Sequence, residues 1–577
     1  MIPFVFPSPQ TYGQDLPEEK SSVPAGTPEN AQLGEFLNTL FLSELALYKD
    51  VKDVAACAQR LLDNEAPKIT DPALRRKTVF ALAKVVKTPE DWEKIRADHI
   101  RDLGEYFTET AFVARDGKRL EDALATVQIA LKCDPANVKA RLLFASLIEP
   151  KQALQTLHYG IKFLDMQSEL APTYFNRYFD ALSNLQQDRI AAKQASVLLK
   201  EKLPAEVHRA IANHAAIAFF WIGDYENALQ VLDSEGIADS QQGMILKSRC
   251  LFELNETDAA IKILEDGLAA FAPEKRDVIL SQLSHYYQRL GDLDAALKVA
   301  DRRIAENPNS ATPYLQRLYL FNKMGKEERS REEVESIFTN FASSQTALLS
   351  LANLAAETGK PEIAERCLRS AIERNIAPAM FVAAEIEATL TAGNADKAIR
   401  DYAAITQAKP ELFNDYEAAT KAILAAAYAR AGTQNAADEK RLREHSQLLL
   451  AQFLELPNHT PDELISVIAL MRRVGEDETA YQVASAALKA FPWHSQLRAD
   501  MILLRIKLGL IEGNATRTPL EKEIQVLTQM RRPNPAVWQE IALWLSTTQA
   551  VPEARSRALK RLIAPLVKAN YHESRDF

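Results

Sequence analysis

From about residue 35 onward, apolar residues recur at intervals of three and four, in runs of ten to fifteen residues. That spacing places them on one face of a helix, and no stretch shows the period of two expected of a half-buried strand. Gly, Asn, Asp or Pro separates successive runs, as turns between helices require. Residues 1–34 differ, being rich in Pro, Ser, Gly and Glu and without a period, which predicts a disordered leader. The rest predicts an all-α chain of helix hairpins.

The hairpins repeat. In "YYQRLGDLDAALKVADRRIAENPN" (286–309), Gly291 ends one apolar run and Pro308 closes the next. Steps of 34 residues from Gly291 land on Gly325, Gly359 and Gly393, and two steps back land on Gly223. The intermediate step misses, and a related turn, "LNETDAA" (254–260), stands there instead. Five residues after each Gly comes a small residue: Ala228, Ala296, Ser330, Ala364 or Ala398. Phe219, Tyr287 and Phe321 stand four before it, and Pro410 closes the last unit as Pro308 closes its own. A chain with 18 Gly in 577 residues does not place them in such register by chance.

Each position has a physical reason. Gly ends a helix because the left-handed conformation costs it least. The following acid sits at the start of the next helix, where the dipole favours negative charge. The small residue lets two helix backbones approach, and the aromatic fills the space beside them. Pro stops the second helix. One such hairpin cannot bury its apolar face alone, so it stacks on its neighbours.

These residues resemble the tetratricopeptide repeat (TPR) superfamily, whose period is 34 residues. The clearest copies are 215–232, 284–309, 351–372 and 383–410; weaker ones lie at 112–135, 428–449 (with Gly432 and Ala437) and 471–492. The signature Trp at the repeat start is replaced by Leu280, Tyr314, Leu348 and Val382. The resemblance implies a right-handed superhelical solenoid of about ten TPR-like pairs with helical caps. The expected organisation is a leader at 1–34, an N-terminal helical cap or degenerate repeats at 35–100, a repeat array at 101–495 and a C-terminal helical cap at 496–577.

Composition narrows the function. The net charge of −9 lacks the positive field of a nucleic-acid binder. Cys57, Cys133, Cys250 and Cys367 are far apart, without C-x-x-C, and read as small buried hydrophobes rather than a metal or redox site. The nine His have no partners at metal-ligand spacing, and no nucleotide-binding, zinc-protease or nucleophile-elbow motif occurs, so no cofactor and no catalysis are expected. No apolar run is long enough to span a membrane. "IPFVF", followed by Thr11 and Gly13, fits the tail of a signal peptide if the natural start lies upstream, which favours an exported, periplasmic protein; the leader of a cytoplasmic protein is the alternative.

What remains is binding. TPR proteins usually hold an extended peptide or a partner helix on the concave face lined by the first helix of each pair. Positions two, three and six before the Gly project there, giving Trp221, Arg249, His285, Arg289, Tyr319, Asn322, Lys323, Asn353 and Glu357, with Asn213 further back on its helix. Arg249, Arg289 and Lys323 in adjacent units suit an acidic or carboxylate-bearing peptide. The expected function is a non-catalytic protein-interaction scaffold or adaptor, in an envelope or secretion-associated assembly if the leader is exported and a cytoplasmic regulatory adaptor otherwise. An RNA-binding helical repeat is the alternative from a different class, and an enzyme built on helical hairpins a third.

Overall fold

The computed structural model describes residues 97–510, apart from 235, 375, 377–378, 409–416 and 457–458, together with scattered positions within 63–79 and 519–561. The expected leader (1–34), the signal-peptide reading, Cys57 and Pro410 lie outside the described residues, as does most of 35–100. The described regular structure is entirely helical. Contacts divide the chain into one unit of Met1–Leu185 and Val197–Ile211, and a second of Gln186–Ser196 and Ala212–Phe577.

In the first unit, α1 (Ala97–Asp116) pairs with α2 (Leu120–Cys133), and α3 (Val138–Leu147) with α4 (Pro150–Gly160), before α5 (Leu170–Asn184). The chain reverses after α1 at Lys118, a non-Gly residue at φ +59°. Ala111, Val127, Ala130, Ala140 and Leu143 form the core between the first three helices. Gly160 has no room for a side chain, since a Cβ there would lie 2.1 Å from the Tyr174 hydroxyl and from Arg141. Tyr174 is buried and donates to the Leu157 carbonyl at 2.6 Å. The helices α6 (Asp188–Leu198) and α7 (Ala205–Ile222) each have residues in both units.

The second unit is a run of hairpins. After α7 comes α8 (Tyr225–Ser234); then α9 (Gln241–Glu253) pairs with α10 (Thr257–Ala270), α11 (Pro273–Arg289) with α12 (Leu293–Glu306), and α13 (Ala311–Lys323) with α14 (Glu327–Phe341). The series continues with α15 (Gln345–Thr358) and α16 (Pro361–Glu373), α17 (Ala379–Thr391) and α18 (Ala395–Ala408), α19 (Glu417–Gln434) and α20 (Glu439–Leu454), α21 (Pro461–Arg473) and α22 (Asp477–Ala490), then α23 (Ser495–Lys507) and α24 (Pro519–Leu527). First helices lie against first helices: α13 on α15, and so on through α23. From α13 to α23 the first helices thus form a continuous row, the TPR-like arrangement.

The turns explain the register. Gly223, Gly291, Gly325, Gly359, Gly393 and Gly475 all have φ between +63° and +88°. After most of them the next N–H reaches back five residues to close the helix, as in Asp224 to Phe219 O, Lys326 to Phe321 O and Lys360 to Ala355 O, each at 2.9 Å. At the missing step Asn255 adopts φ +67° and Glu256 N–H bonds Leu251 O at 2.9 Å, so Asn fills the role of Gly two residues early. The step of 34 also reaches Gly509 (φ +65°) at the end of α23, beyond the clear copies in the sequence. One expected turn is corrected. Gly432 lies inside α19, which runs on to Gln434, and Ala437 is exposed rather than packed between helices. Gly432 is not among the residues with positive φ, and its Cβ position faces Arg443 and Leu442 of α20 at 3.3 and 3.5 Å.

Packing follows from the turns. Ala228, Ala260, Ala296, Ser330, Ala364, Ala398 and Ala480, each five residues past a left-handed turn, are at most 4% exposed. Ser284 Oγ reaches the Ala296 carbonyl of the partner helix, so close is the approach. Leu280, Tyr314, Leu348 and Val382, which replace the signature Trp, are all buried. Cys250 and Cys367 are buried as small hydrophobes, whereas Cys133, at the end of α2, is only half-buried. Between α11, α12 and α13 a polar network runs inward from a partly exposed Asp277: buried Arg303 grips it through two bonds of 2.8 and 3.0 Å and also donates to buried Gln316, which donates to buried Ser284 at 2.8 Å. Glu385 of α17 is different. Its carboxyl is buried, one oxygen finds no hydrogen-bond partner among the described residues, and burial raises its pKa to about 7, with the Asp401 charge adding to the effect.

Two expectations follow. An alanine at Gly291 meets nothing within 4 Å, so it carries only the left-handed strain of about 1–2 kcal/mol. At Gly359 it also meets the backbone of Ala392 at 3.1 Å, so Gly359→Ala lowers the thermal midpoint more than Gly291→Ala; equal shifts by circular dichroism contradict this packing. The folded state holds the Glu385 proton more tightly than the unfolded chain, so this group's stabilisation is full below about pH 4.5 and is lost as pH rises through 7. Denaturant titrations at pH 5 and 8 should show Glu385→Gln more stable than wild type at pH 8, by about 3 kcal/mol at most, and nearly equal to it at pH 5.

Candidate functional site

The first helices carry every candidate groove residue. Asn213 and Trp221 lie on α7, Arg249 on α9, His285 and Arg289 on α11, Tyr319, Asn322 and Lys323 on α13, and Asn353 and Glu357 on α15. Asn213, Lys323 and Asn353 are exposed, and the others half-buried. Each stands on the first helix of its own hairpin.

At the α7 to α11 end, cations lie on aromatic rings. The Arg249 guanidinium sits 4.4 Å from the Phe220 ring centre, and that of Arg289 sits 4.5 Å from Phe252. In both cases an arginine covers the aromatic of the preceding hairpin, three residues before its left-handed turn. Stacking holds the guanidinium plane in a fixed orientation. Arg289 already uses one edge, donating to Glu253 at 2.5 Å. Phe252 stacks on buried Tyr286 with ring centres 4.1 Å apart, and Tyr286 shares a 2.8 Å hydrogen bond with Ser248. His285 lies beside both cations. Burial lowers its pKa to about 4, with Arg289 and Arg249 adding to the effect.

Further along, the wall turns acidic. Asn322 accepts from the Lys360 ammonium at 2.7 Å. Tyr319 lies near Glu357, and burial raises the pKa of both. Glu387 of α17 is ion-paired to Arg473 of α21 at 2.9 Å, across the span of α19. Burial raises the Glu387 pKa, Arg473 lowers it and Glu357 raises it again. The structure thus brings Arg249, His285 and Arg289 together, and sets Tyr319 near Glu357; Asn213, Lys323 and Asn353 stand exposed on their own helices.

The sequence reading missed Glu253, Glu387 and Arg473. Two of them had a usable signal. With Asn255 as the turn residue, the position two before it is Glu253, and the same position gives Trp221, Arg289, Lys323, Glu357, Thr391, Arg473 and Lys507. Glu253 and Arg289 are consecutive members of that column and form an ion pair, so neighbouring members touch across hairpins.

No family model matches the chain, and no curated protein does. Solved structures similar to it include Naa15/Naa10 bound to HypK-THB, at 14% identity over 90% of this chain and 78% of that one, with a TM-score of 0.29. Another is a tetratricopeptide repeat protein from Parabacteroides merdae, at 15% identity over 60% of this chain and 98% of that one, also with a TM-score of 0.29. With superposition this loose, the TPR-like class rests on the hairpins, turns and small-residue contacts described above. Among the described residues no group of His, Cys, Asp and Glu is arranged to hold a metal, and no helix is long and apolar enough to cross a membrane.

Neutral His285 gives a pH expectation. The folded state binds this proton less tightly than the unfolded chain, so stability is lost as pH falls from 6.5 toward 4. Between pH 7 and 5, wild type should lose about 1–2 kcal/mol more than His285→Gln in urea titrations. Parallel losses in the two proteins contradict the placement of His285 beside the two guanidiniums.

Proposed function

We propose that the chain is a non-catalytic scaffold whose first-helix wall holds an extended segment of a protein partner. The observation that carries this is the pair of ring-held guanidiniums, Arg249 on Phe220 and Arg289 on Phe252, in successive hairpins beside a neutral His285. Guanidinium planes held in place by a ring recognise carboxylates at a lower ordering cost than mobile side chains. Lys323, exposed on the next first helix, extends the cationic part, and Glu357 and Glu387 mark where it ends. The preferred ligand on this reading has acidic residues against α9 to α13 and a basic or polar continuation toward α15 and α17. Because Glu253 already partners Arg289, the wall selects by position of charge rather than by net charge.

Neutral substitutions test this without placing new carboxylates beside Glu253. The triple variant Arg249→Gln, Arg289→Gln, Lys323→Gln should keep its helical circular dichroism. It should bind a fluorescein-labelled, Glu-rich decapeptide at least tenfold more weakly than wild type in anisotropy titrations at low salt. Equal affinity, or an unchanged set of proteins recovered with the variant from the native organism, removes the assignment of this wall.

A further inference from the structure

The second unit brings two remote segments together. Arg531 and Arg532, in a stretch without regular structure after α24, lie against the turn between α7 and α8 and the start of α6. Arg531 donates twice to the Asp188 carboxylate, at 2.8 and 2.9 Å, and Asp188 is 1% exposed. The same guanidinium lies 4.5 Å from the Trp221 ring centre. The Arg532 side chain lies over Tyr225, donates to its hydroxyl at 3.2 Å and reaches the Gly223 carbonyl at 3.4 Å. Its backbone N–H donates to Trp221 O at 3.1 Å. A Cβ at Gly223 would lie 1.7 Å from the Arg532 guanidinium carbon, so this glycine makes both the helix turn and the space for the second arginine.

These contacts have the form of peptide recognition. The bound stretch is short and without regular structure, and its backbone is held at the Trp221 carbonyl. Two side chains are read separately: the first by a bidentate carboxylate and an indole face, the second by a phenol and a backbone carbonyl. Each of these prefers the planar guanidinium fork to an ammonium. A carboxylate as buried as Asp188 is strongly unfavourable without a cation, so the site favours being filled.

We propose that Asp188, Trp221, Gly223 and Tyr225 form a receptor for two consecutive arginines, which the chain fills with its own Arg531 and Arg532 and which an Arg-Arg segment of a partner occupies in their place. It is independent of the acidic-ligand reading above, sharing only Trp221, and it calls for a ligand of opposite charge. The tethered pair competes as an intramolecular ligand at high effective concentration, so binding in trans is masked in the wild-type chain.

The probe is the labelled peptide acetyl-Met-Arg-Arg-Pro-amide, with its Lys-Lys counterpart as control. In the full chain carrying Arg531→Ala and Arg532→Ala, the Arg-Arg peptide should bind at least tenfold more tightly than to wild type and than the Lys-Lys peptide does. Adding Asp188→Asn should remove that binding. A folded double variant that fails to bind, or binds both peptides alike, overturns the proposal and leaves the contact as an internal clasp. If the double variant does not fold, hydrogen exchange of the wild-type segment containing Arg532 decides. Millimolar Arg-Arg peptide should accelerate exchange at its amide, whereas no change overturns the proposal.

Discussion

Everything in this molecule depends on how closely two helices approach within one hairpin. A left-handed residue ends the first helix, and five residues later a side chain no larger than Ala or Ser meets that helix with almost no exposed surface, at Ala228, Ala260, Ala296, Ser330, Ala364 and Ala398. At that separation two apolar faces close on each other while the outer edge of the pair stays open. The open edge can be buried only by another hairpin, so the architecture propagates as a row. Overpacking the small position forces the helices apart and disturbs both neighbours.

Because each turn restarts the first helix at a fixed phase, equivalent positions of successive hairpins stand side by side. This converts a sequence column into a physical surface. The column two residues before the turn reads Trp221, Glu253, Arg289, Lys323, Glu357, and the contact of Glu253 with Arg289 demonstrates that consecutive members interact. Such a wall can carry a pattern of charge at the repeat spacing, and the aromatic rings beneath Arg249 and Arg289 keep that pattern in place. The Arg303, Asp277, Gln316 and Ser284 network has another role: it locks three consecutive helices together, with its polar groups partnered among themselves.

Helical class, hairpin register and the identity of the first helices were legible in the sequence because they depend on local constraints. Apolar spacing sets the helices, and Gly291, Gly325, Gly359 and Gly393 mark the turns, each requiring a conformation few other residues adopt. Two departures from the glycine register have the same origin. Asn255 takes the left-handed conformation without being Gly, and Gly432 is a Gly that does not take it. Composition ranks such positions only by propensity, and the packing around each one makes the choice.

The candidate groove was legible as a set of positions, since phase along a helix follows from spacing. What its cations do was not. Arg289 is half-neutralised by Glu253 and Arg249 is laid on Phe220, and both facts depend on the rotation of one hairpin on the next. The meeting of Arg531 with Asp188, 343 positions away, lies still further from sequence reasoning. Local patterns fix each hairpin because their energetics are settled within about 34 residues. Where remote hairpins meet depends on the sum of many small inter-hairpin rotations, and only the folded chain performs that sum.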